Sequence, residues 1–209
     1  MVQILIADDH SVVRKGLMQI LLDEFTNAHI EEVENAEELI QKAGDRGWDV
    51  IISDLSMPGR SGLDALRQLK ISLPKVPVLI MSIHPEEHYA LRALKAGAAG
   101  YLSKDTAPDE LVKAVRMVLL GKKYISPSMA ENLANAISGD PNKLPHEQLS
   151  DREFDVLKFL ASGKSISEIA SLLSLSATTV STYRARILSK MNLKNNYDLT
   201  MYAFEHKLL

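Results

Sequence analysis

Asp8, Asp9, Asp54, Ser82 and Lys104 lie far apart in the sequence, yet each stands at the end of a short apolar run. Runs of this kind, bounded by turn residues, read as buried strands. The stretch Asp49-Val50-Ile51-Ile52-Ser53-Asp54-Leu55-Ser56-Met57-Pro58-Gly59 shows the pattern most fully: an apolar strand, a terminal carboxylate, then a Pro-Gly turn. A buried parallel strand that stops at an Asp delivers that Asp to the carboxyl edge of a sheet, where open α/β folds bind ligands. One such Asp is an ordinary turn residue. Three carboxylates, a hydroxyl and an ammonium converging on one edge carry chemistry. The carboxylates would repel each other unless a cation sat among them, and Mg²⁺, a hard ion that takes a few carboxylates and bridges to phosphate oxygens, suits the set.

The elements that must position these groups follow from local pattern. Strands are expected at Val2–Ala7, Ile30–Val33, Val50–Ser53, Val78–Met81 and Gly100–Ser103. Between them, helices are expected at Ser11–Leu22, from a start capped by Asn35 with Glu38 three residues on, at Gly62–Ile71, from Pro85 as first helical residue to about Lys95, and at Asp109–Leu119 behind Pro108. Strands and helices alternate, and most strands are apolar throughout. This predicts an α/β fold, a doubly wound five-stranded parallel sheet of flavodoxin-like type covered on both faces.

After Gly121 the pattern changes. A short helix is expected at Met129–Ile137, followed by a flexible stretch from Ser138 to Pro145. The last segment reads as four short helices. Ser150-Asp151-Arg152-Glu153 and Ser165-Ile166-Ser167-Glu168 are capping boxes, Ser176 caps a third helix, and Asn195 a fourth with Asp198 in its first turn. The helices at Ile166–Leu173 and Ala177–Met191 are joined by a turn so short that a helix-turn-helix is expected, making a small all-α domain. Between Ile169 and Tyr197 there is no Asp or Glu, while Arg184, Arg186, Lys190 and Lys194 all fall there. Val180, Ile187 and Met191 recur at helical spacing and are expected in the core. Thr178, Ser181, Thr182, Ala185 and Arg186 are left on other faces that could enter a major groove, with Arg184, Lys190 and Lys194 placed for phosphates. No acid stands in the first turn of this helix, where it would repel an approaching phosphate.

The 209 residues, 46% apolar with a net charge of −3, suit two modest globular domains and argue against disorder. Residues 1–125 carry 15 basic and 18 acidic side chains, and residues 149–209 carry 8 and 6. The absence of cysteine excludes a disulfide framework and thiolate catalysis. The chain starts directly on a strand, and no apolar run approaches membrane-spanning length, so a cytoplasmic protein without a membrane partner is expected.

The acidic pair, Asp54 followed by Met57-Pro58-Gly59, Ser82, Tyr101 and Lys104 together resemble the receiver domain of bacterial two-component response regulators, over residues 1–121. Leu149 to Glu153, Gly163, Glu168-Ile169-Ala170 and Thr179 to Tyr183 look like the LuxR-type DNA-binding domain, over residues 147–209, with 122–146 as a linker holding a short helix. The whole chain resembles a NarL/FixJ-family response regulator. The resemblance implies that Asp54 accepts a phosphoryl group from a sensor histidine kinase. It further implies that Asp9, Asp54 and the backbone carbonyl of Ser56 bind Mg²⁺ directly, with Asp8 acting through water, and that Ser82, Tyr101 and Lys104 stabilise and report the phosphoryl group. Binding of double-stranded DNA follows, with a homodimer on phosphorylation and no enzymatic turnover beyond slow self-dephosphorylation. Leu199, Tyr202, Ala203 and Phe204 are candidates for the dimer contact or for core. The chain departs from the common family pattern at Ser181 and Tyr183, where Lys and His are frequent, and at Ile83, where a small residue is usual. Ile83 either narrows the approach to Asp54 or packs into the following helix. A phosphatase or phosphotransferase using an Asp nucleophile and a flavin-binding protein are the competing readings of the α/β domain. The latter lacks a phosphate-cradling loop after the first strand.

Overall fold

The computed structural model describes residues 1–105, 108–137 and 144–209. The chain divides into two compact units, Met1–Ala136 and Ile137–Leu209. In the first, strands β1 (Gln3–Ala7), β2 (His29–Val33), β3 (Val50–Asp54), β4 (Val78–Ser82) and β5 (Gly100–Ser103) form one parallel sheet in the order β2-β1-β3-β4-β5. Helices α1 (Ser11–Glu24), α2 (Ala36–Ala43), α3 (Gly62–Ser72), α4 (Glu86–Lys95) and α5 (Pro108–Leu119) alternate with the strands. This is the doubly wound order expected of the apolar strand pattern, with its switch point between β1 and β3.

Side chains alternate across each strand. Ile4, Ile6, Val50, Ile52, Leu79 and Met81 face one side, where Leu17 and Leu21 of α1 and Leu111 and Val115 of α5 meet them. Leu5, Ile51 and Ile80, pointing the other way, are just as fully buried. Both faces are therefore covered, and the polar groups at strand ends can emerge only at the sheet's edge. Asn35 caps α2 by accepting from the Glu38 N–H, as its spacing predicts. Pro85 differs from expectation by one position. It is extended and caps α4 from outside, so Glu86 is the first helical residue.

The first unit continues past Gly121. The Tyr124 N–H donates to the Ala99 carbonyl at 2.8 Å, and its hydroxyl donates to Glu110. Gly100 permits this approach, since a Cβ there would lie 2.9 Å from both Cβ and the carbonyl oxygen of Tyr124. Ser126 and Ser128 each donate to Glu86 Oε2 at 2.6 Å, and Ser126 also accepts the Met129 N–H at the start of α6 (Pro127–Ile137). Most of the expected flexible stretch, Ser138 to Lys143, lies outside the described residues.

The second unit holds a 3₁₀ turn (Pro145–Gln148) and helices α7 (Asp151–Ala161), α8 (Ile166–Leu172), α9 (Ala177–Met191) and α10 (Asn196–Glu205). Both capping boxes form, and Ser176 and Asn195 accept the expected N–H groups of Thr179 and Asp198. Ser174 takes a positive φ of 52° in the turn between α8 and α9, and Asn192, at 55°, ends α9. Phe154, Leu157, Ile169, Val180, Ile187 and Leu199 make the core. The 3₁₀ turn escapes the sequence reading because it has no apolar period. His146 anchors it, with Nδ1 2.9 Å from the Tyr202 hydroxyl and the imidazole close to the Phe154 and His206 rings.

Candidate functional sites

At the carboxyl edge of the sheet the sequence-distant polar residues meet. Asp8 directly follows β1, Asp54 closes β3, Ser82 closes β4, and all three are almost fully buried. The Lys104 N–H continues the ladder to the Ser82 carbonyl at 2.8 Å, which aims the lysine along the edge. Its ammonium lies 2.6 Å from Asp8 Oδ2 and 2.8 Å from Asp54 Oδ2. One lysine thus bridges two buried carboxylates.

Burial pushes the Asp54 carboxyl above its ordinary pKa and the nearby Asp8 charge adds to this, against the downward pull of Lys104. For Lys104 burial acts to lower the pKa, but its bonds to Asp54 and Asp8 win and hold it above the ordinary lysine value. Both shifts describe a pocket short of positive charge, in which a single ammonium serves two carboxylates.

Ligand atoms of Asp8, Asp9, His10 and Asp54 all lie within 4.8 Å of one another. Asp9 Oδ1 is buried with no hydrogen-bond partner. His10 Nδ1 sits 2.7 Å from that oxygen, close enough for an ion pair when protonated but without hydrogen-bond geometry. An imidazole two-thirds exposed pairs weakly. An orphaned carboxylate oxygen beside two more carboxylates fits a small divalent cation.

Ser82 Oγ accepts the His84 N–H at 3.0 Å, and the Tyr101 hydroxyl donates to the His84 carbonyl at 2.8 Å. Tyr101 is fully buried, which raises its pKa above the ordinary phenol value and keeps the hydroxyl a donor. The His84 ring stacks on Tyr89 of α4 at 4.9 Å and places Nε2 3.0 Å from Ser56 Oγ. The Ser56 N–H in turn donates to Asp54 Oδ1 at 3.2 Å. The loop between β4 and α4 is therefore tied to both Tyr101 and the loop after Asp54. Sequence reading passed over His84. Its one signal was position, two residues beyond Ser82. Ile83, between them, is 69% exposed, so it does not pack into the helix.

In the second unit, Thr178, Ser181, Thr182, Ala185 and Arg186 are all exposed along α9, while Val180, Ile187 and Met191 are buried. The basic residues separate into two groups. Lys190 Nζ lies 2.6 Å from Glu153 Oε2, and Arg184 Nε donates to Asn196 Oδ1 at 2.6 Å. Arg186 and Lys194 are exposed without a side-chain partner among the described residues. On α10, Leu199 and Ala203 are core and Tyr202 bonds His146, whereas Tyr197, Met201 and Phe204 form an exposed stripe at i, i+4 and i+7.

Comparison with known proteins agrees with both units. A family model described as the response regulator receiver domain matches residues 4–116, and one for bacterial regulatory proteins of the luxR family matches residues 147–203. Response regulator UvrY of Escherichia coli strain K12 is 35% identical over 209 residues, covering 100% of this chain and 96% of that protein. Response regulator GacA of Pseudomonas viridiflava is 34% identical over 210 residues, covering 100% and 98%. Among solved structures, RcsB of Salmonella enterica serovar Typhimurium, bound to promoter rprA in the presence of phosphomimetic BeF3⁻, aligns with a TM-score of 0.68. That match has 25% identity and covers 97% of this chain and 98% of RcsB.

Proposed function

The chain belongs to the NarL/FixJ family of two-component response regulators, and from that premise we propose that it takes a phosphoryl group on Asp54 from a histidine kinase and thereby controls sequence-specific binding to double-stranded DNA. The observation that carries the reading is the Lys104 bridge between Asp8 and Asp54 beside the orphaned oxygen of Asp9.

Asp9 and Asp54, with the Ser56 carbonyl, would hold Mg²⁺, and Asp8 would reach it through water. The ion supplies positive charge to the transferring phosphoryl oxygens. Asp54 attacks the phosphorus of a phosphohistidine, an oxygen–phosphorus bond forms as the phosphorus–nitrogen bond breaks, and the imidazole leaves. Lys104 is already aimed at Asp54 and follows the new negative charge. Ser82 turns to donate its O–H to a phosphoryl oxygen, in exchange for the His84 N–H that its Oγ accepts. That exchange would loosen the loop to which Tyr101 and Ser56 are tied, which gives the receiver two surfaces.

Ile83 stands exposed on this loop, and a β-branched side chain holds its place. Ile83→Ala is expected to speed both phosphorylation by acetyl phosphate and loss of the phosphoryl group, with unchanged thermal stability. Unchanged rates in a folded variant would mean that Ile83 does not narrow the approach to Asp54. Turnover otherwise stays slow, as befits a regulator and not a phosphatase.

For DNA, the acid-free start of α9 and its exposed small polar residues support entry into a major groove. That RcsB is described bound to a promoter supports the same mode here. Arg186→Ala and Lys194→Ala are each expected to lower the slope of log affinity against log salt by about 1. Lys190→Ala should act differently, by leaving the buried Glu153 carboxylate without its ammonium partner and lowering the thermal stability of the second unit. Wild-type salt slopes in both variants would reduce the stripe to a solvated face. The Tyr197, Met201 and Phe204 stripe suits a second copy of the chain. Phe204→Asp should abolish phosphorylation-dependent dimers in sedimentation velocity, and retention of the dimer would place the contact elsewhere.

A further inference from the structure

Arg14 on α1 is only 4% exposed, a rare state for a guanidinium. Its Nη1 donates to the Asp8 backbone carbonyl at 2.7 Å, Nε to Glu32 Oε2 at 3.0 Å and Nη2 to Glu34 Oε1 at 2.7 Å. The two glutamates are 38% and 68% exposed, and ion pairs to partners so well hydrated contribute little. Withdrawing a guanidinium from water is costly unless its partners are well placed. Of the three acceptors, the well-sheltered one is the Asp8 carbonyl.

That carbonyl belongs to the peptide joining Asp8 to Asp9. The Asp8 N–H is already held by the Val33 carbonyl at 3.2 Å, and the His10 N–H by Asp8 Oδ1 at 2.8 Å. The Arg14 N–H closes the turn on the His10 carbonyl at 3.1 Å. With these fixed, the Arg14 bond restrains the tilt of the Asp8–Asp9 peptide plane, and with it the backbone from which the Asp9 side chain starts. The planar fork of Arg14 reaches that carbonyl while its other nitrogens are anchored on the edge strand β2 and the residue just beyond it.

We propose that Arg14 is a positioning residue for the metal pocket, setting the Asp8–Asp9 peptide plane so that the Asp9 carboxylate is aimed at the cation site before the ion arrives. The proposal rests on the reading of that pocket as a Mg²⁺ site. Partners one shell outside a metal commonly change affinity 10–100-fold when removed.

The test is calorimetric titration of the full chain with MgCl₂ in 0.15 M salt, where distant surface charges are largely screened. Arg14→Met and Arg14→Lys are expected to weaken Mg²⁺ binding at least tenfold, since an ammonium has no fork to span the three acceptors. The double variant Glu32→Gln with Glu34→Gln removes the two charges but leaves amide oxygens that still accept from Nε and Nη2. The fork thus keeps its bond to Asp8, and binding is expected within twofold of wild type, whatever happens to the melting temperature. Wild-type affinity in a folded Arg14→Met, or an equal loss in the glutamate double variant, would overturn the proposal. Failure of both Arg14 variants to fold would assign the residue to the core and also overturn it. A wild-type chain that binds no Mg²⁺ would defeat the pocket reading first, and this inference with it.

Discussion

Asp54→Asn is expected to leave a folded chain that gains no phosphoryl mass from acetyl phosphate and Mg²⁺, and whose affinity for DNA no longer responds to the phosphodonor. The substitution keeps the shape and removes the nucleophilic charge, so the loss should be complete. Asn still fills the buried end of β3, but the Lys104 ammonium would keep only Asp8 as its charged partner. The cation site would also lose one of its two direct carboxylates. Intact mass reads the first effect and fluorescence anisotropy with labelled DNA the second. A stoichiometric, Mg²⁺-dependent acyl phosphate in this variant would mean that another carboxylate is the acceptor.

Gly62→Ala should be the most damaging single change outside the pocket. A Cβ at Gly62 would lie 2.0 Å from the Asp54 carbonyl oxygen and 2.9 Å from Leu55 Cα. Both are backbone atoms, so no side chain can swing aside. The Gly62 N–H is also tied to the Leu55 carbonyl at 2.8 Å, which prevents α3 from backing off. Overpacking of a close contact costs about 1–3 kcal/mol and more where the neighbours cannot give. The first unit's unfolding transition should fall sharply in calorimetry while the second unit's stays in place. The phosphorylation rate should fall as well, because the displaced carbonyl is that of Asp54 itself. Wild-type melting and wild-type phosphorylation in Gly62→Ala would contradict the contact.

Gly62 shows where sequence reading stops. Strand positions were legible because apolar runs and alternating helices repeat locally, and helix starts at Asn35, Ser150, Ser165, Ser176 and Asn195 were legible because a cap and its partner are three residues apart. The gathering of Asp8, Asp54, Ser82 and Lys104 followed once parallel strands were inferred, since parallel order sends every strand end to one edge. Contacts with large sequence separation left no such trace. Lys190 looked like one more member of a basic stripe, but it pairs with Glu153, 37 residues away. The His84 bond to Ser56 spans 28 residues and that of Arg14 to Glu34 spans 20, and neither has a local period to announce it. Tyr124 seemed to lie beyond the α/β domain, because nothing near it in the sequence reveals that Gly100 leaves room for its backbone.

The α10 residues make the same point on a smaller scale. Leu199, Tyr202, Ala203 and Phe204 were equivalent as apolar letters. Their helix packs one face against α7, so Leu199 and Ala203 are sealed while Phe204 is left outside with Tyr197 and Met201. Which face a helix buries is settled by its neighbours, not by composition.

The central claim is that Asp54 accepts the phosphoryl group in a cation-dependent pocket. Its most direct measurement is site mapping of the wild-type chain after incubation with acetyl phosphate, with borohydride reduction of the acyl phosphate and peptide sequencing by mass spectrometry. One modified residue, Asp54, is expected with Mg²⁺ present and none with EDTA. Modification at Asp8 or Asp9, or equal modification of Asp54 without divalent metal, would contradict the account.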